Sequence, residues 1–426
     1  MFICGNKFVG GECRTLELEL IMSPSRREFL GMAGLSFVSL TGFAPRLFAA
    51  AAEESAAAAN SDRVLVVVEL SGGNDGLNTL IPFENDLYYK NRRTLGIPKA
   101  NIHKLAEGIG LHPAMEPLAD LYKEGHLAIV QGVGYPEPDR SHFRSMEIWQ
   151  TASTEKLPPH AGWLGRFVDR LPQKPDDDSL PGLAFTGGLP QACQADKAVF
   201  PVVGELDAFA GAEQPEQTAI SLRRKLTTAP GKAKGSVQFL RNQSAVVYRT
   251  VDRLKGAAEK YKSTVEYPGT PLGGQLKHAA QILAGDLGVR VMYVSQDGYD
   301  THSGQAEAHT GLLGDLSTSL AAFDKDLTAL GLADKVAVVF FSEFGRRVDE
   351  NASAGTDHGA ASCLFVAGAK IKGGLYGEYP RLDKLGEGDL LFNTDFRSVY
   401  ATLLDKWLGC PAARVLGADF PLMNFA

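Results

Sequence analysis

Five short polar segments of this 426-residue chain carry side chains suited to hydrolytic chemistry. The first, Ser71-Gly72-Gly73-Asn74-Asp75-Gly76, ends on a carboxylate. The second holds Arg140, Ser141 and His142. The third, Asp297-Gly298-Tyr299-Asp300-Thr301-His302, places two acids beside an imidazole. Ser342-Glu343-Phe344-Gly345-Arg346 adds an acid and a guanidinium, and Thr356-Asp357-His358-Gly359 a second imidazole. Carboxylates and imidazoles are the oxygen and nitrogen ligands of a divalent metal such as zinc, and a metal beside a hydroxyl is the equipment of hydrolysis.

These segments matter only if the fold brings them together. In open α/β sheets, ligands bind beyond the carboxyl ends of the strands. Val64–Leu70 is an apolar run broken only at Glu69, the pattern of a strand buried on both faces. Leu127–Gln131, Leu183–Phe185, Arg290–Ser295, Lys335–Phe341 and Ser362–Ala367 are the other candidate strands. Four polar segments follow such strands, and Thr356–Gly359 stands just before one. Helices are predicted over Ser141–Thr151 with Ser141 as N-cap, Gln275–Leu287, Gln305–Leu330, and Thr394–Leu408 capped by Thr394 or Asn393. Residues 171–181 read as a loop, and the polar stretch 205–267 as a largely helical insertion. The alternation predicts an α/β fold: a mostly parallel sheet with helices on both faces, and all five segments on one rim.

Each segment also has a plainer reading. Asp75 after two glycines shapes a turn. Ser141 caps a helix, although a hydroxyl there faces the positive end of the helix dipole and free N–H groups, where an anion is stabilised. Glu343 and Arg346 pair with each other. Gln305 and His309, four apart on one helix face, read as surface, as do His103, His112, His126, His160 and His278. The chain has no Gly-x-Ser-x-Gly elbow, Walker loop or His-Glu-x-x-His motif. Gly132-Val133-Gly134 fails as a dinucleotide fingerprint, because Glu137 takes the third glycine position.

The net charge of −7, without a basic block, argues against nucleic acid as a partner. Cys193, Cys363 and Cys410, with Cys4 and Cys13 upstream, form no disulfide framework. Arg26-Arg27, the weakly apolar stretch Phe29–Phe43 and the alanine tract Ala49–Ala52 read as a twin-arginine export signal. Met22 is a candidate start. The apolar stretch is broken by glycines and short of the ~20 residues a spanning helix needs, and no later segment reaches that length. The expected layout is a signal region over 1–51, a linker over 52–61 and one α/β domain over 62–426. The twin-arginine translocase is the expected partner during export, and the periplasm or another extracytoplasmic space the expected location.

In this order, the leader and the segments Ser71–Gly76, Arg140-Ser141-His142-Phe143, Asp297–His302, Ser342–Arg346 and Thr356–Gly359 resemble the family catalogued as domain of unknown function 1501. That family is regarded as related to the alkaline phosphatase and sulfatase superfamily, which hydrolyses phosphate or sulfate esters beside one or two divalent metals. The resemblance implies an alkaline-phosphatase-like fold. It implies that Ser141 matches the nucleophile, that Asp75 or Asn74 matches the acid after the first strand, and that Asp297 or Asp300 joins His302 and His358 in one metal site. Glu343 would match the acid of the other site.

Two departures bear on activity. The superfamily usually has Asp-His where this chain has Glu343-Phe344, and phenylalanine cannot ligate a metal. Cys410-Pro411-Ala412-Ala413-Arg414 places its proline one position early for a formylglycine sulfatase. The leading expectation is an exported hydrolase of phosphate or related anionic esters, dependent on zinc or another divalent metal. Ser141 would attack or orient the substrate, and Arg140 or Arg346 would hold its anionic oxygens. The alternative is a non-catalytic binding protein of the cell envelope, which Glu343-Phe344 favours.

Overall fold

A computed structural model of the protein describes residues 62–172, 180–204 and 252–426, apart from residues 107, 255 and 258. The signal and linker expected over 1–61 and most of the insertion expected over 205–267 lie outside the described residues.

Seven strands build the main sheet: β1 (Val64–Ser71), β2 (Leu127–Gly134), β3 (Gly182–Phe185), β4 (Val291–Asp297), β5 (Val336–Phe341), β6 (Ser362–Ala367) and β7 (Gly374–Tyr376). Their spatial order is β7-β2-β6-β5-β1-β4-β3, and Thr394–Asp395 pairs with the end of β2. β1 lies inside the sheet, in parallel register with β4 and β5 on either side. Its side chains alternate between two cores, as strand geometry requires. Val66 and Val68 join Leu118, Leu276, Leu316 and Phe323 on one face. Leu65 and Val67 join Trp149, Phe167 and Tyr400 on the other. The covering helices are α1 (Glu116–Lys123), α2 (His142–Thr151), α3 (Trp163–Val168), α4 (Pro271–Ala284), α5 (Gln305–Ala329) and α6 (Phe396–Thr402). α1, α4 and α5 cover the first face, and α2, α3 and α6 the second. Burying each large apolar side chain stabilises the fold by about 1.5–3 kcal/mol, so a strand apolar on both faces belongs in the middle.

β6 departs from the parallel pattern: it runs antiparallel to both β2 and β5. Parallel neighbours need a long crossover to the far edge of the sheet. The chain from Ser342 to Ala361 instead stays at the rim where β5 ends, and β6 descends from there. That reversal puts Thr356–Gly359 on the same rim as the other four segments, although it precedes its strand.

The other differences are local. The expected helix Thr394–Leu408 starts at Phe396, because Thr394–Asp395 is extended against β2; Asp395 is the cap, accepting from Arg397 N. Its last part, Leu403–Trp407, is a π-helical turn. A three-stranded sheet of Leu80–Ile81, His103–Ala106 and Ile109–Leu111, and the hairpin Leu385–Gly386/Asp389–Leu390, have strands too short for a periodic signal. Among the described residues, no helix is long and apolar enough to cross a membrane.

Candidate metal centre

Three imidazoles and one carboxylate meet on the rim. His302 and His358 face each other through their Nε2 atoms at 2.9 Å. Asp300 Oδ1 lies 3.1 Å from the first and 3.0 Å from the second. His142 Nε2 approaches Asp300 Oδ2 at 3.6 Å, and donor atoms of His142, Asp300 and His358 all lie within 4.8 Å of one another.

The Nδ1 side of each ring is anchored. His302 Nδ1 meets Asp357 Oδ1 at 3.0 Å, His358 Nδ1 meets the Arg140 carbonyl at 2.8 Å, and His142 Nδ1 meets Glu343 Oε1 at 2.8 Å. All three partners are acceptors, so each Nδ1 carries the proton and each Nε2 turns its lone pair into the site. Metal-binding histidines are oriented in this way. Two acceptor nitrogens 2.9 Å apart need a proton or a cation between them. The separations of 2.9–3.1 Å among the three donors also approach the roughly 3.3 Å edge of a tetrahedron drawn with zinc–ligand distances of ~2.0–2.1 Å. The donor set therefore fits a divalent metal of zinc type. Asp300 and His302 stay about half exposed, at 47% and 44% of their side chains, so the site is open to solvent.

The supporting frame explains the glycines. Glu343 is buried, and its oxygens accept from Gly72 N at 2.9 Å, Gly73 N at 3.1 Å and His142, with the Ser342 hydroxyl 3.0 Å away. Glu343 thus anchors an imidazole, and few lone pairs remain to make it a ligand. Both glycines have positive φ, at 118° and 81°. A Cβ on Gly72 would stand 2.4 Å from Asp300 N, and one on Gly73 2.3 Å from the Phe344 ring. Only glycine permits this approach. Phe344 is buried beneath the imidazoles, its ring centre 4.9 Å from that of His142 and 4.8 Å from that of His358.

The other expected residues take different positions. Arg346 is fully buried and bonds to the carbonyls of Gly72, Gly73, Tyr299 and Thr356 and to Asp300 Oδ1. It ties three loops together and, with a side chain 0% exposed, presents no donor to a substrate anion; its partner is Asp300, not Glu343. Burial raises the Asp300 carboxyl, but the Arg346 guanidinium outweighs it and holds the group down at about 2. Arg140 is turned to Asp389, at 2.5 and 2.8 Å, and to Glu387. Asp75 is buried in an ion pair with Arg92 and accepts from Gln305 and from the first turn of Gly76–Thr79. Asp297 is exposed at the end of β4, outside the imidazole group. Ser141 is exposed at the N-cap of α2, but its hydroxyl makes no capping bond.

His142 is the site residue that the sequence reading passed over in favour of its neighbour Ser141. Its signal was a place in the first turn of a helix that follows a strand end. Three residues read as surface are buried: Gln305, His309 and His112. Gln305 donates to Asp75, and His309 Nε2 meets Asn74 Oδ1 at 2.9 Å. Burial lowers His309 to about 4 and His112 to about 3, from an ordinary 6.5. Between pH ~4 and 6.5 the unfolded chain binds the extra protons, so these groups make stability rise with pH. Glu69, pushed up by burial to about 7, acts oppositely, since there the folded chain holds the proton. His309→Gln removes one histidine contribution. Its urea-unfolding free energy is expected to climb less steeply than wild type from pH 4.5 to 6.5; parallel profiles would contradict the burial.

The chain belongs to the family described as Protein of unknown function (DUF1501), whose pattern matches residues 62–411. No curated protein matches it. Solved structures similar to it include the PsFucS1 sulfatase from Pseudoalteromonas sp., at 11% identity over 86% of this chain and 72% of that one, TM-score 0.37. The lipoteichoic acid synthase LtaP from Listeria monocytogenes is similar at 11% identity over 83% and 73%, TM-score 0.34. Alkaline phosphatase from the Antarctic bacterium TAB5 is similar at 11% identity over 74% and 94%, TM-score 0.30.

Proposed function

We propose that the protein is an exported, metal-dependent hydrolase of phosphate or related anionic esters. The observation that supports it best is the gathering of three histidine side chains around the half-exposed Asp300 carboxylate, His302 and His358 at Oδ1 and His142 at Oδ2. A divalent ion held there by Asp300, His302, His358 and His142 supplies Lewis-acid polarisation and a lowered pKa for bound water. Glu343, Asp357 and the Arg140 carbonyl keep the rings aimed. Arg346 fixes Asp300 and the two glycines, so it is a positioning residue. Ser141, next to His142 in the chain and with a hydroxyl free of capping duty, is the group we assign to attack or orient the ester. The Arg26-Arg27 leader supports the exported part of the reading.

The test is a panel of phosphate monoesters, phosphate diesters and sulfate esters with zinc-loaded protein. Zinc-dependent turnover is expected, with Ser141→Ala slower by about 100-fold or more if Ser141 is the nucleophile. Equal rates for the two proteins would remove Ser141 from the chemistry. Zinc binding without turnover on any ester would favour the alternative, a binding protein of the cell envelope. Phe344, which lies where the superfamily usually supplies a ligand, points in that direction.

A further inference from the structure

A cleft of about 490 Å³ opens directly on the imidazole group, with His142 and Asp300 in its wall. That volume lies within the ~300–1,000 Å³ of small-molecule sites. Its two sides follow from the fold. On one side, His142, Phe143, Met146, Glu147 and Gln150 recur at helical spacing along one face of α2. From His142 to Gln150 that face spans roughly 12 Å, at ~1.5 Å per residue. On the other side, the parallel register sets Glu69 beside Ser295 and Ser71 beside Asp297. Paired positions two apart share one face of a sheet, so Glu69, Ser71 and Asp297 all turn toward α2 and line the cleft.

Most charges along the cleft are already balanced. Glu343 is held by His142 and two backbone N–H groups, Asp300 by Arg346, and Glu147 by Arg144. Glu69 and Asp297 are not. Both bonds to the Glu69 carboxylate, from Gln150 Nε2 at 2.8 Å and from the Tyr293 hydroxyl, fall on Oε2. Oε1 has no partner among the described residues, and it is not sealed in the core but keeps accessible surface in the cleft. Asp297 is exposed, and its carboxylate has no partner among the described residues. No lysine or arginine lines the cleft. Two unpaired acids with no cation beside them are complementary to a cation on the ligand. A second metal ion fits poorly: among the described residues, the donors close enough to share an ion are His142, Asp300 and His358, without Glu69 or Asp297. An organic cation needs no such closeness. Phe143, 91% exposed, and Met146 offer an apolar flank to its alkyl body, and a phenyl face also attracts an ammonium group.

We propose that this cleft selects esters whose alcohol carries an ammonium group, with the anionic end at the metal centre and the cation between Glu69 and Asp297. A zwitterion suits a cleft that has a dication at one end and two free carboxylates at the other. The charge and shape of the cleft stand by themselves; that the bound molecule is an ester rests on the hydrolase reading. In hydrolysis of such a phosphate ester, the hydroxyl of water joins phosphorus, and the amino alcohol leaves with the electron pair of the broken P–O bond and takes the remaining proton. Glu69 and Asp297 determine specificity and take no part in those bond changes.

The test compares 3-aminopropylphosphonate with propylphosphonate, two uncleavable analogues that differ in the amine, by calorimetric titration of the zinc-loaded full chain. At pH 8 the amine is charged, and Glu69, pushed up by burial to about 7, is mostly ionised. The aminoalkyl compound is expected to bind at least about tenfold more tightly. In Glu69→Gln and in Asp297→Asn that preference is expected to fall to about threefold or less, at wild-type zinc content. Equal affinity for the two compounds, or a preference undiminished in both variants, would overturn the proposal. Turnover separates it from the hydrolase reading. If 3-aminopropylphosphonate is preferred as described but neither 2-aminoethyl phosphate nor ethyl phosphate is hydrolysed, the hydrolase reading fails and the cleft assignment stands. If both esters are hydrolysed with equal kcat/KM, the cleft assignment fails and the hydrolase stands.

Discussion

Arg92→Ala is expected to destabilise the protein by about 3–5 kcal/mol, the cost typical of breaking a buried ion pair from one side. Arg92 and Asp75 both have fully buried side chains, with Nη1 2.5 Å from Oδ2 and Nη2 3.1 Å from Oδ1. Burial works against the Asp75 carboxylate, but Arg92 outweighs it and holds the group below its ordinary value. Arg92 also bonds to the carbonyls of Val348 and Arg347, so it pins the chain after β5 to the turn after β1. Removing it strands a charge in the interior and frees both loops. Urea unfolding at pH 7 reads the loss, and the folded fraction should still hold zinc, since neither residue belongs to the imidazole group. A loss below ~1 kcal/mol would contradict the burial. Zinc lost from a folded variant would return Asp75 to the ligand set.

Asp300→Asn is expected to weaken zinc binding by more than about 100-fold, the upper end of the effect of changing a residue that only supports a ligand. Asp300 Oδ1 is where His302, His358 and Arg346 converge. The amide keeps the shape and an acceptor for Arg346 but removes the negative charge. Glu343→Gln acts one step further out, through His142, and should cost about 10–100-fold. Competition with a chromogenic chelator measures both. A larger loss for Glu343→Gln than for Asp300→Asn would reverse the two roles.

Much of the frame was legible in the residues. β1, β5 and β6 are mostly apolar, with Glu69, Ser71 and Ser362 their polar members, and a largely apolar run is what burial on both faces requires. The rule that ligands gather beyond strand ends collected Asp300, His302, Glu343 and His358. It also collected Asp75, Asp297, Arg140 and Arg346, because residue type at a strand end does not say where a side chain turns. The direction of β6 was not legible either, since strand composition is the same in both directions. His309 and Gln305 looked like surface because polar residues on a helix usually face water; here they complete a buried network around Asn74 and Asp75. Ser141 and His142 are adjacent, and only the position of Glu343 shows that the imidazole turns inward.

The central claim is that His142, His302, His358 and Asp300 hold a divalent ion. X-ray absorption at the zinc edge, on zinc-loaded full-length protein and on His358→Ala, tests it most directly. The account predicts about one tightly held zinc per chain, with imidazole nitrogens and a carboxylate oxygen at ~2.0–2.1 Å, and loss of that ion in the variant. Zinc bound only by weakly held oxygens, or an unchanged nitrogen shell in His358→Ala, would contradict it.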